Sequence, residues 1–216
     1  MLPAEIEKRS FEIIQSEAGT HGFSDDHWRV VSRIIHTSAD FEYLKTVRIH
    51  PDAVETGVNA ICSGKAVITD TRMAQSGIRK RELDSFGCEL LCFIDAPQTA
   101  EMAKRNKTTR ARAAVDAAAS TMEGGIYVVG NAPTALLRLL ELIERKKASP
   151  ALIVGLPVGF VNAAESKEAL IESGHAHISN LGRKGGSNVA AAVVNALIII
   201  ASNRPASRRD PDPGAI

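Results

Sequence analysis

Three residues on one short stretch, Arg29, Arg33 and His36, carry the most visible chemistry in this chain. Their spacings of four and three stack them along one face of a helix, one titratable ring beside two permanent cations. Imidazole gains or gives up a proton near neutral pH, so such a face suits an anionic ligand that needs a proton delivered. A solvated helix end whose histidine meets the helix dipole has the same spacing, so the spacing alone does not separate the two readings.

The helix holding these groups turns Trp28, Val31, Ile34 and Ile35 toward a core, and Ser24 can cap it, with Asp25 and Asp26 in its first turn. An earlier helix runs over residues 3–18, with Ile6, Phe11, Ile13 and Ile14 as apolar surface and Ser10 mid-helix. A connector containing residues 41–49 follows, and Pro51 starts another helix that ends near Gly64. From there the rhythm becomes strand, loop, helix, with candidate strands at 66–69, 89–94, 126–129, 151–154 and 176–179. Each is short, mostly apolar and followed by a helical pattern, as expected of strands covered on both faces. The expected fold is α/β: a single, doubly wound domain with a mainly parallel sheet of about five strands flanked by helices, preceded by N-terminal helices.

In such a sheet ligands bind beyond the carboxyl ends of the strands. Those loops here are 70–73, 95–97, 130–134, 155–160 and 182–188, and they hold glycines, prolines and asparagines that let backbone amides face a ligand. Gly182-Arg-Lys-Gly-Gly-Ser187 lacks the spacing of a phosphate loop, because Lys184 precedes the glycine pair. No G-x-G-x-x-G follows a strand, and no G-x-S-x-G is present, so dinucleotide binding and serine hydrolysis lack support. What remains is an Arg183-Lys184 pair beside flexible glycines, suited to carboxylates. His175 and His177 would share a strand face but have no third ligand at a recognised spacing.

The net charge of +1 gives no sign of a nucleic-acid stripe or of binding to an anionic membrane, and aromatic residues are too sparse, at 4%, for base-stacking platforms. Three cysteines, Cys62, Cys88 and Cys92, form no C-x-x-C pair, which fits a reduced, cytoplasmic setting. The apolar run 190–201 is about half a membrane span and reads as a core helix. Residues 203–216, rich in proline and charge, read as a loose tail beyond a domain of residues 1–202.

Several strings occur together and in order: Ser10-Phe11-x-Ile13-Ile14, Arg33-Ile-Ile-His36-Thr-x-Ala-Asp-Phe41, Asp70-Thr-Arg72-Met73, Gly130-Asn-Ala-Pro-Thr-Ala-Leu136, Val154-Gly-Leu-Pro-Val-Gly-Phe-Val-x-Ala-x-Glu-Ser-Lys167 and Gly182-Arg-Lys-Gly-Gly-Ser187. In this the chain resembles the precorrin-8X methylmutase, or precorrin isomerase, family of cobalamin biosynthesis, from Ser10 to Ala201. It departs from the family at Leu181, where an arginine is usual, and at Ala111, where serine tends to follow the Thr-Thr-Arg string. The resemblance implies an isomerase that moves a methyl group from C-11 to C-12 of precorrin-8X to give hydrogenobyrinic acid. That shift is intramolecular and [1,5]-sigmatropic, so it implies no cofactor and no metal ion. It implies His36 as the acid/base, with Ser10 and Arg33 as substrate contacts. Arg72, Arg110, Arg183 and Lys184 are further candidates for the substrate's carboxylates. It also implies a homodimer with the site near the subunit interface, and no nucleic-acid or membrane partner. Two other readings stand beside it: a cobalt-precorrin-8 methylmutase giving cobyrinic acid, and a non-catalytic corrinoid-binding or carrier protein. A nucleotide-dependent kinase fails on the missing phosphate loop.

Overall fold

Helix periodicity and strand-length apolar runs both reach the tertiary level in the computed structural model, which describes residues 2–205. The chain opens with α1 (Pro3–Ala18) and α2 (Asp25–Ser38), the latter capped by Ser24, whose hydroxyl accepts from the His27 N–H at 3.4 Å. Then come α3 (Tyr43–Thr46), β1 (Val47–Ile49), α4 (Ala53–Cys62), β2 (Val67–Thr69), α5 (Arg72–Gly77), α6 (Lys80–Ser85) and β3 (Leu90–Cys92). The remainder is α7 (Pro97–Arg105), α8 (Arg110–Ala118), β4 (Ile126–Val129), α9 (Pro133–Glu144), β5 (Leu152–Gly155), α10 (Ala163–Glu172), β6 (His177–Asn180) and α11 (Ser187–Ser202).

Six strands form one sheet in the order β1-β6-β5-β4-β2-β3, parallel except for β1, which runs antiparallel to β6. One strand more than expected is present. It lies within the expected 41–49 connector, where only three residues pair and Arg48 breaks the apolar pattern, so its ladder to β6 (Val47 opposite Asn180) leaves no local trace. The helix expected to start at Pro51 starts at Ala53, because residues 50–52 make a turn closed by the Ala53 N–H on the His50 carbonyl.

Alternation along the strands divides the core into two layers. Val67, Ile126, Val128, Leu152 and Val154 face a cluster built with α2, α4 and α11. Ile68, Tyr127, Val129 and Ile153 face a second cluster with α8, α9 and Leu170 of α10. The apolar α11, read as a core helix, lies in the first layer between the sheet and α2. Among the described residues no helix is long and apolar enough to cross a membrane. Val30, Val31, Ile34 and Ile35 anchor α2 on α11 by burial worth roughly 1.5–3 kcal/mol each. That stripe fixes which face of α2 remains for chemistry. The last helix, α11, ends at Ser202, and of the residues read as a loose tail, 206–216 lie outside the described ones.

Candidate active site

With one face of α2 buried, Arg29, Arg33 and His36 are turned toward α1 or solvent. Phe11 of α1 organises two of them. The His36 ring stacks on it with centroids 4.9 Å apart and planes 15° from parallel, and the Arg33 guanidinium lies 5.0 Å from the same ring centre. Arg33 also donates to Glu7 Oε1 at 3.1 Å, while Arg29 stands 4.0 Å from Asp26. In the sequence Phe11 reads as apolar surface and as part of the Ser10-Phe11-x-Ile13-Ile14 string, without a role of its own, and Glu7 is passed over. Their i, i+4 spacing on α1 is the available signal.

Phe11 and its neighbours separate a pair of hollows. One, of about 400 Å³, is lined by Ser10, Ile13, Glu17, Ile35, His36 and Phe41. The other, of about 220 Å³, is lined by Phe11, Arg29, Ser32 and Arg33 together with α11. Thus Ser10 and His36 share a hollow, and Arg33 serves the adjoining one. Ser10 Oγ donates back to the Ile6 carbonyl at 2.9 Å, which leaves its lone pairs for an incoming donor. Behind His36, α2 ends on Ala39, whose N–H closes the last turn on the Ile35 carbonyl at 2.7 Å and whose left-handed backbone (φ 52°) turns the chain out of the helix.

The loops beyond the strands interlock next to this helix pair. Asp70, at the end of β2, is buried and accepts the N–H groups of Gly130, Asn131 and Ala132 at 3.0, 2.9 and 2.8 Å. Burial raises its carboxyl above the usual range, opposed by those three donors. A side chain at Gly130 would meet Ser187 Cα at 2.6 Å, so glycine lets the loop after β4 lie against the start of α11. Thr71 Oγ1 lies 2.9 Å from Ser187 Oγ and also accepts the Ala74 N–H, capping α5. Gly186 N–H donates to the Leu156 carbonyl, joining the loops after β5 and β6.

On this rim the remaining cations are spread out. Lys184 pairs with Asp40 and with Glu42 (3.0 Å), tying the loop after β6 to the segment just behind His36 and lowering the Asp40 carboxyl below its ordinary value. Arg183 lies 5.5 Å over the exposed Phe160 ring. Arg72 sits elsewhere, between Asp95 (3.3 Å) and Gln75 (2.8 Å) on the β3 side. Arg110 opens α8 after Thr109, whose hydroxyl lies 3.3 Å from that of Thr134 beyond β4. The structure therefore puts Ser10 and His36 on one hollow and Arg33 on another, ties Lys184 to Asp40 just after α2, and sets Arg72 and Arg110 apart along the rim. His175 lies before β6, so it shares no strand face with His177, whose Nδ1 is 2.8 Å from the His175 carbonyl and whose ring stands edge-on to that of His50.

The geometry has a counterpart in known proteins. A family model described as precorrin-8X methylmutase matches residues 5–200. The chain belongs to the precorrin-8X methylmutase family. It is 47% identical over 201 residues to the cobalt-precorrin-8 methylmutase of Priestia megaterium, covering 93% of this chain and 89% of that protein. The precorrin-8X methylmutase of Pseudomonas aeruginosa is 37% identical over 194 residues, 89% of this chain and 93% of that one. A crystal structure of precorrin-8X methylmutase from Thermus thermophilus superposes with a TM-score of 0.84 at 44% identity, covering 91% and 97% of the two chains. As a member of the methylmutase family the chain is an isomerase of cobalamin biosynthesis, and the single α/β domain expected from its sequence is the family's fold.

Proposed function

We propose that this isomerase moves a methyl group from C-11 to C-12 of precorrin-8X, giving hydrogenobyrinic acid, with His36 as the acid/base. The observation that carries the reading is the His36 ring, held against Phe11 yet exposed, on the wall of a hollow shared with Ser10. In the shift the carbon–methyl bond at C-11 breaks as the one at C-12 forms within the same molecule. A proton lent by His36 to the conjugated system near the ring C nitrogen would draw electron density through the migration, and the imidazole recovers it afterwards. General acid help of this kind is worth ~10²–10⁴ in rate.

The acidic periphery of a corrinoid needs cations over a wide arc. Strands about 4.8 Å apart put the ends of β6 and β2 about 14 Å from one another. Arg183 after β6, Arg110 near the end of β4 and Arg72 after β2 therefore suit separate carboxylates of one macrocycle, while Lys184 is taken up by Asp40 and Glu42. Ser10 would meet a polar edge and Arg33 a carboxylate. Phe160, Val161 and Met73 stand 83, 78 and 73% exposed around these loops, more apolar surface than a lone rim requires. A second copy of the chain covering them would make the homodimer and help enclose the ligand.

A second reading has its own support. The relatives from Priestia megaterium and Salmonella typhimurium, 47 and 45% identical, are cobalt-precorrin-8 methylmutases, whereas the Pseudomonas aeruginosa precorrin-8X enzyme is 37% identical. Cobalt-precorrin-8, giving cobyrinic acid, is thus the alternative substrate.

The test is the absorption spectrum of precorrin-8X, and separately of cobalt-precorrin-8, incubated with wild type and with His36→Ala. Conversion by wild type and loss of conversion in the variant is the expected result, and the substrate converted names the pathway branch. Equal conversion by both proteins rules out His36 as the acid. Binding of both substrates without conversion of either would replace the isomerase by a carrier.

A further inference from the structure

The side chain least explained by stability is Lys167. It lies on α10, is wholly buried, and burial holds its ammonium down to about 8. An ammonium taken out of water costs folding energy that an apolar side chain of the same shape would not. Its contacts point to what it does instead. Nζ donates to the Lys184 carbonyl at 2.6 Å and to Asn180 Oδ1 at 3.2 Å. Asn180, also buried, donates its amide to the Leu181 and Lys184 carbonyls, each at 3.0 Å. Two donors from the core thus converge on one loop carbonyl.

That loop joins β6 to α11 outside any helix or strand, and its backbone otherwise bonds to Thr46, Gly159 and Leu156 at Leu181, Arg183 and Gly186. Gly182, Gly185 and Gly186 all take positive φ, at 76, 156 and 135°. A β-carbon on Gly185 would collide with the Leu156 carbonyl. While its carbonyl is held from below, Lys184 sends its own ammonium to Asp40 and Glu42, directly after the helix that carries His36. Arg183, one residue earlier, is held out over Phe160.

We propose that Lys167 is a positioning residue for the reaction, its buried ammonium holding the β6–α11 loop in the shape that presents Arg183 and joins Lys184 to the segment behind His36. The inference rests on the reading of this loop as part of the corrinoid site. Lys167 itself touches no substrate. Its charge sets a backbone that the substrate's carboxylates meet through other side chains.

The experiment compares wild type with Lys167→Met, which fills the same space without the donor. Three quantities are read: the melting temperature, the rate of native-state trypsin cleavage after Arg183 and Lys184 located by mass spectrometry, and the split between kcat and KM on whichever of precorrin-8X or cobalt-precorrin-8 wild type converts. The expected result is an unchanged or raised melting temperature, loop cleavage faster by about 10-fold or more, KM raised by about 10-fold and kcat within about 3-fold of wild type. A lowered melting temperature with cleavage accelerated throughout the chain means a purely structural lysine and overturns the proposal. So does a variant with wild-type cleavage and wild-type KM. Should Lys167→Met not fold, Asn180→Ala keeps the lysine and frees the loop from the strand side, and the same readouts decide. If wild type converts neither corrinoid, the functional reading fails, while loop-specific cleavage in the variant still reports on the clamp.

Discussion

Replacing Phe11 by leucine removes the aromatic face against which both His36 and Arg33 rest while keeping an apolar side chain between α1 and α2. A stacked ring pair is worth about 0.5–1.5 kcal/mol beyond its burial. At 4.9 Å and 15° the His36–Phe11 pair has the geometry for that range. A guanidinium over a partly exposed ring adds about 0.5–1 kcal/mol. The imidazole stack bears on the proposed acid, so its loss should fall on kcat, and at 1.36 kcal/mol per tenfold the expected reduction is about 2- to 13-fold. The cation–π contact bears on Arg33 as a proposed substrate contact, so its loss should raise KM by about 2- to 5-fold. His36→Ala should cost ~10²–10⁴ by comparison, which orders the two variants. Initial rates followed by absorbance across a range of substrate concentrations separate the two effects. If Phe11→Leu keeps kcat within about 1.5-fold of wild type while His36→Ala abolishes turnover, the stack does not orient the acid and that argument is wrong.

Other consequences concern the buried charges. Asp70→Asn turns an amide N–H₂ toward backbone N–H donors now held by carboxylate oxygens, so it should cost about 1–3 kcal/mol, read as a lower urea midpoint with an unchanged slope; an unchanged midpoint would count against the clamp. Below pH 8 Lys167 is charged in both folded and unfolded chains, and folding bears the full cost of burying it. Between about 8 and its ordinary 10.5 the unfolded chain holds a proton that the folded chain has released, so this cost shrinks as pH rises. The stability advantage of Lys167→Met over wild type should therefore narrow across that window in urea titrations. Cys88 and Tyr43, pushed up by burial to about 11 and 12, destabilise both proteins alike at high pH and cancel from the difference. A gap constant from pH 7 to 10.5 would refute the assignment.

Local rules carry much of the site. The run from Ser24 to His36 holds its own cap, its acidic first turn and its apolar stripe, so α2 and the face bearing His36 are legible without any tertiary contact. The Ile126–Val129 strand is legible for the same reason, since four buried residues in a row leave an unbroken apolar word. Where pairing depends on a distant partner, the pattern fails: β1 has three residues, and only the ladder to β6 makes them a strand. The sequence treats the cations as equivalent carboxylate binders, yet Lys184 is engaged by Asp40 and Glu42 while Arg72 belongs to the other side of the rim.

By itself, then, the sequence determined the alternation of strands and helices, the helix that carries His36, and, through its ordered motifs, the family. These depend on side chains within one or two turns of each other, or on strings that survive as strings. Only the tertiary structure decided that Phe11 holds His36 and Arg33, that Asp70 gathers three amides from another strand's loop, and that a lysine on α10 reaches the carbonyl of Lys184. Such contacts join separate elements: helix packing brings Phe11 to α2, and the contacts of Asp70 and Lys167 form only once the packed sheet has brought its loops together. The cost of that closure is met by the whole core, so no local stretch encodes the contact it permits.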